Sequence, residues 1–280
     1  MEWKTLVSVA ELQAALGEPQ LRLIDCRFDL REPEAGRQAY QAAHLPGALY
    51  ADLDRDLSSH ATESSGRHPL PSLETMTATF GQWGITPQTQ VVAYDDRGGL
   101  MASRLWWMLR LVGHDRVAVL DGGWQAWHDG SGPVTQEVPS VAPIEFESEP
   151  RLEFAAEIDD VPAAACLVDA RGATRYAGLE EPMDPVAGHI PGALNRPYTD
   201  NLNEAGQFRP PAELRREFES LLGSATTEDT IFYCGSGVSA CMNLLAMAHA
   251  GMPVPRLYVG SWSQWCRLRP DQVAVSDAAD

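Results

Sequence analysis

The chain contains no apolar run of the ~20 residues that a bilayer-spanning helix requires, and its opening Met1-Glu2-Trp3-Lys4 begins no secretory signal. Basic residues are scarce: 21 Lys and Arg stand against 39 Asp and Glu, a formal net charge of −18. A surface of that sign repels polyanions, so nucleic acid and anionic membrane are poor partners. A small anionic substrate would have to be attracted locally, by loop amides and a few arginines. Cysteine is sparse and odd in number, five scattered residues, which suggests no disulfide framework and favours a reducing compartment, here expected to be the cytoplasm. The seven histidines are dispersed and no paired Cys or His spacing appears, so neither a metal nor another cofactor is expected.

What the chain does have is a repeat. Over 280 residues, 44% apolar and 21% charged, there is material for two ordinary globular domains. In the first half a capping box, Ser8 to Glu11, opens a helix, and Leu21 to Cys26 reads as a strand. His44-Leu45-Pro46-Gly47-Ala48, a polar loop from about Asp52 to Pro71, a helix from Leu73 to Trp83 and a strand Val91 to Asp95 follow. A long apolar helix from about Met101 to Leu111 leads to the strand Val117 to Leu120 and the block Asp121-Gly122-Gly123-Trp124. The second half runs in the same order. Asp169 follows Asp25 by 144 residues, His189 follows His44 by 145, Cys234 follows Asp95 by 139 and Trp262 follows Trp124 by 138. That is duplication of a whole domain. Strands alternating with helices predict an α/β fold, each copy a mainly parallel sheet with helices on both faces. We expect domains over residues 1–130 and 154–280, joined by a Pro-, Ser- and Glu-rich linker over 131–153.

The duplication acts as an internal control. Features present twice read as scaffold: the two His-x-Pro-Gly-Ala motifs, the pairs Asp25/Arg27 and Asp169/Arg171, and the tryptophan blocks. The segment Ile231-Phe232-Tyr233-Cys234-Gly235-Ser236-Gly237-Val238-Ser239-Ala240 carries a feature present once. A strand should end at a cysteine, turn through two glycines expected at positive φ, and enter a helix. Amides converging from such a loop form a nest for negative charge, and the helix start lowers a thiol pKa. Cys234 is thus a candidate nucleophile, with a buried, inert free cysteine as the other reading. Cys26, Cys166 and Cys266 read as buried fillers and Cys241 as core, with a resolving thiol as its second reading.

With both repeats, the two His-x-Pro-Gly-Ala motifs, the Asp-Gly-Gly-Trp block and the cysteine loop on view, the chain resembles the two-domain rhodanese-like sulfurtransferases over nearly its whole length. The loop Cys-Gly-Ser-Gly-Val-Ser-Ala is closest to the 3-mercaptopyruvate branch; the thiosulfate branch usually carries basic residues just after the cysteine. The resemblance implies sulfur transfer through a Cys234 persulfide. The donor would be a small anion, 3-mercaptopyruvate first and thiosulfate as the alternative, and the acceptor cyanide, a small thiol or reduced thioredoxin. It also implies that Gly235, Gly237, Val238, Ser239 and Ala240 hold the anionic sulfur. Ser236, His68 and Asp54 match a proposed proton-handling set, and Arg175 matches a donor-binding arginine. Read from the residues alone, His68 is equally a surface-loop histidine and Ser236 a small polar filler. Arg175 could be scaffold, because Arg31 stands the same six residues after Asp25 that Arg175 stands after Asp169. A second donor arginine would be expected near Pro182-Met183-Asp184 and none stands there. Two other readings share the fold: a phosphatase, whose loop needs an arginine where Ala240 stands, and a non-catalytic rhodanese-like binding module.

Overall fold

A computed structural model describes residues 2–276. They form two compact units, and each has traded a short segment with the other half of the sequence. The first takes positions up to Ser59, then Pro71–Arg151 and Glu204–Phe208; the second takes His60–Leu70, Leu152–Asn203 and the chain from Arg209 onward.

The first unit is built from β1 (Leu6–Val7), α1 (Val9–Ala15), β2 (Leu21–Asp25), α2 (Pro33–Ala42), β3 (Ala48–Tyr50), α3 (Leu73–Gln82), β4 (Gln90–Tyr94), α4 (Ala102–Leu111), β5 (Val117–Leu120) and α5 (Gly123–Asp129). The expected capping box is present at α1, with Ser8 accepting from the Glu11 N–H and Glu11 accepting from the Ser8 N–H. The sheet order is β1-β5-β4-β2-β3, all pairs parallel, with Leu23 facing Val92 and Ala48 in register. β4 is buried along its whole length, so from Val91 to Tyr94 it reads as a continuous apolar run without alternation.

The second unit has β6 (Ala155–Ala156), β7 (Cys166–Asp169), α6 (Ala173–Tyr176), β8 (Leu194–Asn195), α7 (Pro211–Leu222), β9 (Thr230–Tyr233), α8 (Ala240–His249), β10 (Arg256–Tyr258) and α9 (Ser261–Leu268). Its sheet, again all parallel, is ordered β6-β10-β9-β7-β8, the same permutation as the first. The central strand β9 ends at Tyr233, so Cys234 sits at the carboxyl end of a buried strand, where α/β sheets place ligands.

Duplicated residues do duplicated structural work. Arg27 makes a forked ion pair with Asp25, with Nη2 2.6 Å from Oδ2, and Arg171 does the same with Asp169, also at 2.6 Å. Each guanidinium lies over a tryptophan, Arg27 at 4.2 Å from the Trp124 ring and Arg171 at 4.8 Å from Trp262. His44 stacks on Tyr40 at 4.0 Å with Nδ1 on the Tyr40 carbonyl at 2.7 Å; His189 stacks on Tyr176 at 3.8 Å with Nδ1 on its carbonyl at 2.8 Å. These histidines brace the loops that follow α2 and α6. Trp127, Trp262 and Trp265 are core, whereas Trp124 is partly buried against it.

Candidate active site

Cys234 is 1% exposed and is held from several sides. Its N–H donates to Ser261 Oγ at 3.1 Å, and its carbonyl accepts from the Trp262 N–H at 3.0 Å. Burial pushes its thiol pKa up, but the Ser239 hydroxyl and the Ala240 and Ser236 N–H groups outweigh burial, and the net shift is downward. Burial pushes the thiols of Cys26, Cys166 and Cys266 up instead. Cys241 is fully buried, its sulfur 3.5 Å from the Gly237 carbonyl. The folded protein should therefore alkylate first at Cys234. The rate should rise through a midpoint lower than that of an unperturbed cysteine, because lowering the pKa brings the thiolate in at lower pH. A pH series followed by peptide mass mapping, run beside a free-cysteine peptide in the same buffers, measures this; a midpoint at or above the peptide's would count against the cradle.

The first unit shows what this loop geometry holds. Asp95, at the position equivalent to Cys234, is fully buried. Its Oδ1 accepts from the N–H groups of Arg97 at 2.8 Å and Gly99 at 2.9 Å, and its Oδ2 from those of Met101 at 2.7 Å and Ala102 at 2.9 Å. Arg97 and Met101 each lie 139 residues before Ser236 and Ala240, two of the donors around Cys234. One copy of the cradle thus binds its own carboxylate, and the other surrounds a thiol.

The two loop glycines serve different ends. Gly237 adopts φ +75°, as expected, and a Cβ there would meet the Val259 carbonyl at 2.5 Å. Gly235 does not adopt positive φ, contrary to the sequence reading. Its lack of a side chain leaves room for cations: a Cβ on Gly235 would lie 2.9 Å from Arg67 Nη2, and 3.4 and 3.5 Å from the two terminal nitrogens of Arg175. Ser261 is the residue that sequence reasoning missed on this side. It takes φ +53°, a conformation costing about 1–3 kcal/mol for a non-glycine, at the position held by Gly123 at +55° in the first unit. Its hydroxyl accepts the Cys234 N–H and donates to the Tyr258 carbonyl at 2.8 Å. The signal was present as a Gly-to-Ser difference between the two tryptophan blocks.

The segment His60–Leu70 closes the site within the second unit. A Cβ on Gly66 would lie 2.5 Å from the Gly260 carbonyl, so only glycine permits this approach to the start of α9. The Arg67 N–H donates to Ser263 Oγ at 3.0 Å, and Gln264 Nε2 donates to the Ser64 carbonyl at 2.8 Å. His68 is thereby buried, and its Nδ1 lies 2.7 Å from Ser236 Oγ, a hydrogen bond whose direction follows the imidazole tautomer. The sequence-predicted Cys234, Ser236, His68 and Arg175 therefore come together, with the loop Gly235 to Ala240. Asp54 belongs to the first unit, in the turn after β3, where it is exposed and its N–H donates to Asp52 Oδ1 at 3.0 Å. Burial, and then the neighbouring Asp52, push its carboxyl pKa up.

Two carboxylates and three arginines form an ion-pair cluster in the second unit. Arg175 is bound to Glu181, 2.6 Å from Nη2 to Oε1, and Arg171 reaches the same carboxylate at 3.1 Å. Arg67 pairs with Asp184, whose other oxygen is 3.7 Å from Arg175 Nη2. Arg67, Glu181 and Asp184 were not singled out in the sequence. Among the described residues no group of three His, Cys, Asp or Glu could hold a metal ion, and no helix is long and apolar enough to cross a membrane.

A family model described as the rhodanese-like domain matches residues 8–129 and again 151–268. A Pseudomonas aeruginosa protein named a probable 3-mercaptopyruvate sulfurtransferase is 42% identical over 279 residues, 97% of this chain and 98% of its own. Mouse thiosulfate sulfurtransferase is 34% identical over 268 residues, covering 92% of this chain and 89% of its own. Among solved structures, 3-mercaptopyruvate sulfurtransferase from Leishmania major superposes with a TM-score of 0.87 at 32% identity, covering 96% of this chain and 76% of that one. With this likeness running through both halves, and the two sheets sharing one permutation, the chain belongs to the rhodanese-like domain family and carries two copies of the domain.

Proposed function

We propose that this protein is a sulfurtransferase that moves a sulfur atom from 3-mercaptopyruvate, through a persulfide on Cys234, to a thiophilic acceptor. The observation that carries the reading is a thiol of lowered pKa set in amide and hydroxyl donors beside two guanidinium groups. In the first step the Cys234 thiolate attacks the donor sulfur. The sulfur–sulfur bond forms, the donor's carbon–sulfur bond breaks, and its electron pair leaves on carbon as the enolate of pyruvate. The proton lost from the donor thiol ends on that carbon, so the products are pyruvate and an anionic Cys234 persulfide. The N–H groups of Ser236 and Ala240 and the Ser239 hydroxyl, with the remaining loop residues Gly235, Gly237 and Val238, hold that anion as the equivalent loop holds Asp95. A thiolate then attacks the terminal sulfur and leaves with it, restoring the Cys234 thiolate. Cyanide, a small thiol or reduced thioredoxin would serve, in a reducing compartment such as the cytoplasm. The nucleophile belongs to the domain expected over 154–280 and the domain expected over 1–130 lacks it, although His60–Leu70 pack with the second unit and most of the expected linker, up to Arg151, packs with the first.

Ser236 and His68 favour 3-mercaptopyruvate over thiosulfate. An enolate needs a proton and leaving sulfite does not, so a hydroxyl–imidazole pair beside the thiol has work only with the first donor. Ser236→Ala and His68→Ala should each lower kcat/KM for 3-mercaptopyruvate by about 10²-fold and leave thiosulfate within a few-fold. Equal losses with both donors would remove the proton-handling role. The whole reading is tested by mixing reduced protein with each donor and weighing it intact. A gain of one sulfur, about 32 Da, that cyanide removes is the expected result for covalent transfer. If neither donor adds mass, the chain is a binding module; if thiosulfate loads faster, the donor assignment is reversed.

A further inference from the structure

Three consecutive residues at the start of α9 hold the backbone that carries the nucleophile. The Ser261 hydroxyl accepts the Cys234 N–H at 3.1 Å. The Trp262 N–H donates to the Cys234 carbonyl at 3.0 Å, and the Ser263 N–H to the Gly235 carbonyl at 2.9 Å. The last residues that pair between β9 and β10 are Phe232 and Leu257. Beyond them the Ser261 hydroxyl, which also donates to the Tyr258 carbonyl at 2.8 Å, carries one more link between the two strand ends. Ser261 is 0% exposed and Cys234 1%, so without that hydroxyl the Cys234 N–H would be left buried and unpaired.

This link is kept at a conformational cost. Ser261 has φ +53°, a region that suits glycine, and glycine is what the first unit uses there, with Gly123 at φ +55°. A Cβ on Gly123 would lie 2.2 Å from the Asp95 carbonyl oxygen, so the first unit has no room for a side chain at this point. The second unit makes room for one, and the hydroxyl it admits is used on the nucleophile's own N–H. The difference follows the chemistry of the two strand-end residues. Asp95 presents two oxygens, and four loop N–H groups fix its carboxylate directly. Cys234 presents a single sulfur, a weaker acceptor, so loop amides alone orient it less firmly and the backbone behind it has to be held.

We propose that Ser261 is a positioning residue for sulfur transfer: its hydroxyl locks the Tyr233–Cys234 peptide and so aims the Cys234 sulfur into the loop donors. This rests on the sulfurtransferase reading and names what keeps the reacting atom in place. Ser261 acts through Cys234 and takes no part in binding the donor. With the N–H tied to the Tyr258 carbonyl through the hydroxyl, and the Cys234 carbonyl tied to Trp262, the peptides on both sides of the nucleophile are fixed. The lock does not depend on what the sulfur carries, so it serves the thiolate and the persulfide alike.

Two variants separate this role from a purely structural one. Ser261→Gly removes the hydroxyl and the strain together, whereas Ser261→Ala removes the hydroxyl and keeps the strain. Ser261→Ala should be the less stable, and Ser261→Gly should melt within about 4 °C of wild type, because relief of strain offsets the stranded N–H. In single-turnover loading by 3-mercaptopyruvate, read by intact mass, both should lower the limiting rate by about 10- to 100-fold, the effect of a small displacement of a reacting atom. The half-saturating concentration should change by less than about threefold, since the donor's own contacts are untouched. Thiosulfate should show the same loss of rate, unlike its response to Ser236→Ala and His68→Ala, because both donors meet the same nucleophile. The pH midpoint of Cys234 alkylation should rise in both variants, as the sulfur drifts from the donors that favour its thiolate. A Ser261→Gly protein that loads at the wild-type rate with an unchanged midpoint overturns the proposal, as does a defect that follows melting temperature and appears in Ser261→Ala alone. Failure of the wild type itself to load with either donor would instead remove the sulfurtransferase reading, and the alkylation midpoint would still report on Ser261.

Discussion

Cys234→Ser is expected to abolish sulfur transfer, by about 10³-fold or more, while leaving the fold in place. The substitution replaces one atom of a buried side chain of nearly the same size, so packing around β9 and α8 changes little. The chemistry changes completely. The cradle of the Ser239 hydroxyl and the Ser236 and Ala240 amides lowers a thiol pKa against the cost of burial. The same donors acting on an alcohol leave it protonated near neutral pH, and an oxygen cannot carry the transferred sulfur as a persulfide. The intact mass should stay constant with either donor, and turnover should fall to background. Residual turnover of a tenth or more would assign the transfer to another thiol. Cys241, fully buried in the first turn of α8, would be the first to test.

The second large effect lies in the unit without the nucleophile. Asp95→Ala should cost about 3–5 kcal/mol of stability. Removing the carboxylate strands the N–H groups of Arg97, Gly99, Met101 and Ala102 in a site that is 0% exposed. Asp95→Asn should fall between, because its amide group turns a donor toward one pair of donors. Hydrogen exchange measured along the intact chain would place the loss in β4 and α4 while β9 and α8 keep their protection. A change of less than about 1 kcal/mol would mean that the loop relaxes around the gap, and the likeness between this carboxylate and a bound persulfide would lose its force.

The architecture was largely legible because it is written twice. Paired motifs at nearly constant offset fixed the domain order, and buried strands such as Val91-Val92-Ala93-Tyr94 are unbroken apolar runs. Of the site, Cys234, Ser236, His68 and Arg175 were found from a loop pattern and a resemblance, and they lie in one unit. The remainder was hidden for physical reasons. Gly235 looked like a residue chosen for φ, yet its role is the space it leaves for two guanidiniums, which depends on residues far off in sequence. Arg67 was overlooked because charge on a polar loop is ordinary, and only the fold shows it against Asp184, 117 residues away. Ser261 was passed over because a serine at positive φ looks like nothing until its hydroxyl is seen under the Cys234 N–H.

The exchange of short segments between the two halves has a genetic consequence. Duplicated genes usually free one copy to decay, since the other suffices. Here the half that carries Cys234 receives Arg67 and His68 from the half that carries Asp95 in its place. A deletion trimming the gene to its 3′ half would keep the thiol and its amide cradle but lose the imidazole and one guanidinium. Two of the side chains that pack around the Cys234 loop are therefore encoded in the half of the gene that lacks the nucleophile, and the two halves cannot be separated at their midpoint without parting them.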